Sequence, residues 1–358
     1  MTIGPIRGRG ILEIPGIAVG HAGRFAPDGL TGVTAVLPPP GARVGVDVRG
    51  GGPATHETDV IAPGTHSYGA DAIVITGGSA LGLQSVSGVV RTLAEAGRGF
   101  PAPGLTGTVV PLVPAAAIFD LGRGDGPVRP PTDSDGAAAA RAALRSTHDG
   151  AEATAVRGSL GAGLGARSGM QSMRSSLGSA SIRLPGGYLV AALVVANPFG
   201  TIATPDGTLW AHPLLDSYGF DLPSIGHLPA PPTSTVEATS AKNTTIAIVA
   251  TNAALDPAQV TRMAAGAQAG IARAIRPSHT LFDGDTVFGI ATGEVGLPDD
   301  FAASTRDQVT ITAAAADALS LAVIDAHVAA APVDDSWGQP PTLSDVAPEF
   351  AGAFAALP

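Results

Sequence analysis

The chain has 358 residues, 45% hydrophobic and only 14% charged, a composition that fills a large core and excludes intrinsic disorder. Its formal charge of −10, with no Lys/Arg cluster and one lysine (Lys242), excludes a nucleic-acid surface. The absence of cysteine excludes disulfides, thiol nucleophiles and thiolate metal sites.

The N-terminal MTIGPIRGRGILEIPG carries two arginines but lacks the apolar run of about 7–15 residues that a signal peptide needs. The longest apolar run, 188–196, falls short of the roughly 20 residues of a membrane span. A soluble cytoplasmic protein that contacts neither membrane nor nucleic acid is the expectation. Residues 11–50 alternate short β-like runs at 11–14, 32–37 and 43–48 with Gly/Pro turns. VRGGGPATHETD (48–59) holds His56, Glu57 and Asp59; it reads as a solvated loop tied by local hydrogen bonds before it reads as a site wall. A strand at 71–76 runs into GGSALGLQ and a helix through about Ala96. Strand, glycine turn and helix suggest a phosphate cradle, but the glycines match neither G-x-G-x-x-G nor a Walker loop. A tight turn in this glycine segment, bringing backbone close to a substrate or a neighbouring strand, is the better reading.

A strand at 108–112 leads into PAAAIFD (114–120), then a Gly/Pro loop over 121–135 and an alanine-rich helix over 135–146. Residues 157–179 are mostly Gly, Ala and Ser, too small for a packed strand and suited to backbone at a site or a close interface. The central strand 188–196 stops at Asn197-Pro198, where Asn197 is either a well-placed hydrogen-bond donor or an ordinary strand exit. Residues 221–243 have linker composition, with Pro223, Pro229, Pro231 and Pro232 and no hydrophobic period. The chain then turns abruptly into TTIAIVATN, a buried strand. A cut between Asn243 and Thr244 would expose a threonine with a hydroxyl nucleophile and a free α-amine of pKa about 7.7–8.0 as its own base; a plain loop-to-strand junction is the alternative. Asp256-Pro257 starts a helix, with Val260, Met263, Ala264, Ala267, Ile271 and Ile275 as its core stripe. A strand within 279–292 and a final helix over about 313–331 follow, then a Pro-rich acidic tail. Two sheets with helices outside are the coarse architecture. Asp283-Gly284-Asp285 is too short of ligands for a metal site; it is a turn, or a pair of carboxylates that holds an amine or orients a hydroxyl.

Seven segments in one order, VDVRGG (46–51), ITGGSALGL (75–83), VPAAAIFDL (113–121), GAG (161–163), ANPFG (196–200), NTTI (243–246) and HTLFDGDT (279–286), resemble the self-processing DmpA-type aminopeptidase/esterase family, which includes the nylon-oligomer (aminohexanoate-oligomer) hydrolases. The resemblance implies an α/β four-layer αββα sandwich of the DmpA and ornithine acetyltransferase type, similar to N-terminal-nucleophile hydrolases. It implies an α chain (1–243, with a flexible linker at 221–243) and a β chain (244–358) that stay together as one globular unit. Thr244 matches the nucleophile, Asn197 the oxyanion donor, and Asp283 and Asp285 the positioning pair, with Asn243–Thr244 the cleavage site. Gly78, Ser79, Phe119 and Met170 fall where substrate is expected. No cofactor or metal is implied, and a homo-oligomer, a tetramer of αβ units, is. The substrate is a short peptide or an ω-amino-acid oligomer. Two residues depart from the pattern. Met170 stands where the family carries a lysine, leaving Arg167 and Arg174 as neighbouring cations, and Phe119 stands where the nylon-oligomer hydrolase has a tyrosine. An unprocessed, non-catalytic member and an acyltransferase of the same fold are the alternatives.

Overall fold

The computed structural model describes residues 10–24, 29–66, 69–123, 127–148, 155–229, 243–333 and 338–357. In chain order, the elements that build its layers are β1 (Ala18–Arg24), β2 (Thr31–Leu37), β3 (Arg43–Val48), β4 (Thr55–His56), β5 (Ile73–Thr76), α1 (Ser85–Glu95) and β6 (Ala115–Ala117). Then come α2 (Asp133–His148), β7 (Leu177–Arg183), β8 (Leu189–Asn197), β9 (Thr244–Ala253), α3 (Pro257–Ala274), β10 (Thr286–Val295) and α4 (Phe301–Val328). One sheet has the order β1-β2-β5-β6-β4 and the other β7-β8-β9-β10-β3. Pairing is antiparallel except for β5–β6 and β9–β10.

Strands buried on both faces read as unbroken apolar runs, and β8 and β9 show why. Ala191, Leu193 and Val195 of β8, with Ile246, Ile248 and Ala250 of β9, point into the core between the sheets. Val190, Ala192, Val194, Ala247 and Val249 point the other way, against α3 and α4. The first sheet packs its outer face on α1 and α2 through Val86, Val89, Leu93, Ala139 and Ala143. Three apolar layers separating helices, sheet, sheet and helices make the expected αββα sandwich. α3 starts as expected, its N-cap Asp256 closing a reciprocal capping box with Gln259. α4 is long and apolar enough to cross a membrane, but 72% of its most apolar window is buried inside the fold, as in a core helix.

Several expectations are corrected. Residues 11–14 are not a strand. Gly10–Glu13 forms a 3₁₀ turn, whose three-residue spacing sends Ile11 and Ile14 together into the inter-sheet core. The expected strand at 108–112 shrinks to Val109–Val110, paired with Phe100–Pro101 outside the main sheets; the sheet strand is the low-propensity Ala115–Ala117 that follows. β7 begins inside the small-residue stretch 157–179. α4 lies so close upon it that a β carbon at Gly178 would sit 2.2 Å from the Ala322 carbonyl oxygen. The close interface served by these small residues is therefore within the chain. α4 begins at Phe301, because Asp300 caps it and its first turns are polar and exposed. The tail is helical over Leu343–Val346 and Pro348–Ala355, with Phe350 and Phe354 in the core. The 48–59 loop is tied by distant partners, since Glu57 accepts from the Val113 N–H (3.0 Å). Of the linker, 221–229 is irregular with Ile225 buried; 230–242, including Lys242, lies outside the described residues.

Candidate active site

β8 ends where β9 begins, and their register pairs Asn197 with Thr244. Directly opposed residues in an antiparallel pair carry their side chains on one face, with β carbons about 4.5–5.5 Å apart. That face belongs to Val195 and Ile246, so Asn197 and Thr244 share the rim of the slot between the sheets. Thr244 is 5% exposed, and its hydroxyl donates to the carbonyl oxygen of Asn243 at 2.5 Å. The same oxygen accepts from the Gly284 N–H at 3.1 Å, and the Asn243 N–H donates to Phe282 O at 3.2 Å. The Asn243–Thr244 junction therefore lies along the 282–284 loop. A β carbon at Gly284 would approach the Thr244 hydroxyl oxygen to 2.9 Å, so the glycine leaves room for it.

Asp283 and Asp285 are both 1% exposed and hold this junction through backbone. Asp285 accepts from the Thr245 N–H (2.7 Å) and from the N–H and Nδ1 of His279 (2.9 and 2.8 Å). Asp283 accepts from the Phe199 N–H (3.1 Å) and from the N–H and hydroxyl of Thr280 (2.9 and 2.6 Å). Burial and the neighbouring Asp285 raise the Asp283 pKa, against its hydrogen bonds from Thr280 and Phe199. For His279, burial would lower the pKa, but the hydrogen bond and charge of Asp285 outweigh it and the net shift is upward. Glycine-rich 49–52 clasps the loop, the Arg49 and Gly50 N–H groups donating to Asp285 O (2.9 and 3.1 Å) and Gly52 N–H to Asp283 O (2.9 Å). Every oxygen of the carboxylate pair thus has a protein donor. Among the described residues no three His, Cys, Asp or Glu side chains converge as a metal site would require.

Asn197 is fully buried and held at both ends of its amide. Its Oδ1 accepts from the Arg167 N–H (3.0 Å) and from Arg123 Nη2 (3.5 Å), while its Nδ2 donates to Phe119 O (3.2 Å). Arg123 Nη2 also donates to Phe119 O (3.2 Å), and Nη1 donates to Gln171. Arg167 and Arg174 share Gln339 Oε1 (2.8 and 3.3 Å), and Gln339 Nε2 donates to Arg123 O (2.6 Å). Burial lowers the pKa of Arg123 and Arg174 to about 10; burial and the other two cations lower that of Arg167 to about 9. Burial pushes nearby Asp120 up to about 6, and its Oδ1 accepts from the Gly78 N–H (2.6 Å).

The expected site residues gather at this one end of the sandwich. The Gly78–Ser79 turn is tied to the segment bearing Phe119 by the Gly78 bond to Asp120 and by Ser79 N–H to Ile118 O (2.8 Å). Phe119 reaches Asn197 through its carbonyl, and its side chain is half-buried. Met170, with a left-handed φ of 53°, donates its N–H to Phe199 O (3.0 Å), two residues beyond Asn197. Sequence reasoning missed Arg123 and the facing rings of Phe199 and Phe282, whose centroids are 6.0 Å apart. A groove of about 540 Å³ between α3 and α4, lined by Arg262, Gly266 and Val309, lies across the second sheet and contains none of these residues.

The family model for peptidase family S58 matches residues 10–339. The chain belongs to that family. It is 42% identical over 363 residues to an uncharacterized aminopeptidase of Mycobacterium leprae (96% of this chain, 95% of the relative). It is 30% identical over 347 residues to a 6-aminohexanoate-oligomer endohydrolase of an Agromyces species (90% and 86%). The fold is shared with the L-aminopeptidase D-Ala-esterase/amidase of Ochrobactrum anthropi, described as a variant of the Ntn hydrolase fold. That match has a TM-score of 0.60 at 20% identity and covers 92% of this chain and 88% of the other. As a member of S58, the chain is an amide-bond hydrolase.

Proposed function

We propose that this S58 member cuts itself before Thr244 and then uses that threonine to hydrolyse the amide bonds of short peptides with a free amino terminus or of ω-amino-acid oligomers. The observation that carries the reading is the Thr244 hydroxyl 2.5 Å from the carbonyl oxygen of the residue before it, beside the Asn197 amide in register. In maturation, Thr244 Oγ bonds to the Asn243 carbonyl carbon, and the oxygen that becomes negative already accepts the Gly284 N–H. Collapse breaks the Asn243–Thr244 C–N bond, the nitrogen takes the proton lost by the hydroxyl, and an ester remains. Water hydrolyses the ester to an Asn243 carboxylate and a Thr244 with free hydroxyl and α-amine.

In turnover, the α-amine accepts the hydroxyl proton as Oγ attacks the substrate carbonyl. The oxyanion accepts the unused Asn197 N–H, the substrate amine leaves with a proton, and water releases the acyl group. Asp285, through the Thr245 N–H, and Asp283, through the Phe199 N–H, keep the two strand ends aligned. The range of substrates rests on relatives named for aminopeptidase and for 6-aminohexanoate-oligomer hydrolysis. Met170, uncharged where the family carries a lysine, favours as a second reading an intact, non-catalytic binding protein.

Intact-mass spectrometry tests both readings. Wild type is expected as two species summing to the chain plus one water, split at Asn243/Thr244, with activity on aminoacyl amides or 6-aminohexanoate oligomers. Thr244→Ala is expected as one uncut, inactive species. A Thr244→Ala protein that still cuts itself and turns over substrate would remove the mechanism; an inactive wild type that stays whole would favour the binding protein.

A further inference from the structure

We infer that Arg123 is a positioning residue for turnover: its guanidinium holds and polarises the Asn197 amide so that one N–H is left for the oxyanion. The inference rests on reading Asn197 as the oxyanion donor. A primary amide offers two lone pairs on oxygen and two hydrogens on nitrogen. Here both lone pairs are taken, by the Arg167 N–H and by Arg123 Nη2, and one hydrogen goes to Phe119 O. One hydrogen remains, on an amide whose strand register sets it beside Thr244.

Arg123 acts at both ends of this arrangement, because Nη2 also donates to Phe119 O. Flipping the amide would set NH₂ against two donors, so the network dictates its orientation. The backbone N–H of Arg167 supplies one of those donors whatever its side chain; Arg123 supplies the other from its charged group. Arg123 is itself fixed, through Nη1 to Gln171 and through its carbonyl to Gln339. It is only 4% exposed, its Nε has no hydrogen-bond partner, and among the described residues the one carboxylate whose charge offsets its burial, Asp120, makes no hydrogen bond to it. Burying such a cation is costly, and neutral packing serves stability as well or better. A positive charge against Oδ1 draws electron density away from the amide N–H and strengthens it as a donor. Arg167 and Arg174 add to a field that favours negative charge appearing at this spot.

The test is a double-mutant cycle on purified wild type, Arg123→Gln, Asn197→Ala and the double variant, with Arg123→Lys added. Kinetics use an aminoacyl p-nitroanilide or the 6-aminohexanoate trimer, whichever wild type cleaves. Arg123→Gln is expected to lower kcat about tenfold or more with KM within about twofold. Arg123→Lys should recover part of that loss. In the Asn197→Ala background, Arg123→Gln should change kcat less than about twofold, because its target is gone. Where a variant matures slowly, kcat is referred to the cut fraction, which is read by mass in the same four chains. An unchanged kcat in Arg123→Gln, or an equal loss in both backgrounds, overturns the inference. Wild-type kcat in Asn197→Ala overturns the oxyanion reading itself, which separates the two failures.

Discussion

Replacing Asn197 by alanine should separate maturation from turnover. The carbonyl oxygen of Asn243 is served by the Gly284 N–H at 3.1 Å, so the proposed cut would not call on Asn197. The proposed turnover would, and loss of one oxyanion donor typically lowers kcat about 10²–10³-fold, or roughly 3–4 kcal/mol. The substitution also strands three buried groups: the Arg167 N–H, Arg123 Nη2 and, in part, Phe119 O. Each unsatisfied group costs about 1–3 kcal/mol, but Phe119 O and Arg123 Nη2 still have each other. A net destabilisation of about 2–4 kcal/mol follows. The assay is a time course of intact mass with kcat on the same samples, run at least 10 °C below each measured Tm. The expected protein is fully cut, less stable, and slower by two to three orders of magnitude. An Asn197→Ala chain that stays whole while folded would refute the separation, because Asn197 would then serve the self-cleavage step as well.

Gly284→Ala sets a methyl carbon 2.9 Å from the Thr244 hydroxyl oxygen, and the hydroxyl must move off the Asn243 carbonyl; maturation followed by mass should slow by about tenfold or more, and a wild-type rate would contradict the packing argument. Buried His327, with its ring nitrogens against Val323 O (2.8 Å) and Ser168 Oγ (2.9 Å), has its pKa lowered by burial to about 4. The unfolded chain binds that proton first, near pH 6.5, so the stability is fully present above 6.5 and is lost as pH falls through about 4. The loss is about 3 kcal/mol. The acid-side fall in Tm should be shallower in His327→Gln, and identical slopes would contradict the assignment.

What the sequence made legible follows from which interactions are local. β8 and β9 are apolar on both faces and announce themselves. Asp256-Pro257 declares its helix through a cap that needs only Gln259 three residues on. β7 does not, because its Gly178 and small neighbours answer to a helix about 145 residues later, and no β-propensity scale contains Ala322. β3 was readable as a strand, yet nothing in RVGVDV says that it joins the second sheet beside β10. The site shows the same division. Thr244, Asn197, Asp283 and Asp285 are legible as site candidates because their segments occur in a characteristic order. Arg123 sits in LGRGDG, whose glycines and charges look like a solvated turn; only the closing of distant segments over it reveals a buried cation. Its one local hint is Asp120 three residues earlier.

The strand order of the second sheet has a consequence for how such a protein is made. β7 and β8 precede Thr244, β9 and β10 follow it, and β3, which closes the far edge, precedes it again. A cut before Thr244 would leave one polypeptide clamped on both sides by the other, with a hydrogen-bonded seam at each flank. Neither piece could leave without tearing open two ladders, so dilution alone would not part them. Assembly would be another matter. The uncut chain brings these strands together within one molecule, whereas the two products would have to find each other in solution and thread back into alternate positions. The intact precursor would then serve as the only efficient template for the mature enzyme, and once unfolded after cutting, the enzyme should regain its structure slowly and in proportion to concentration.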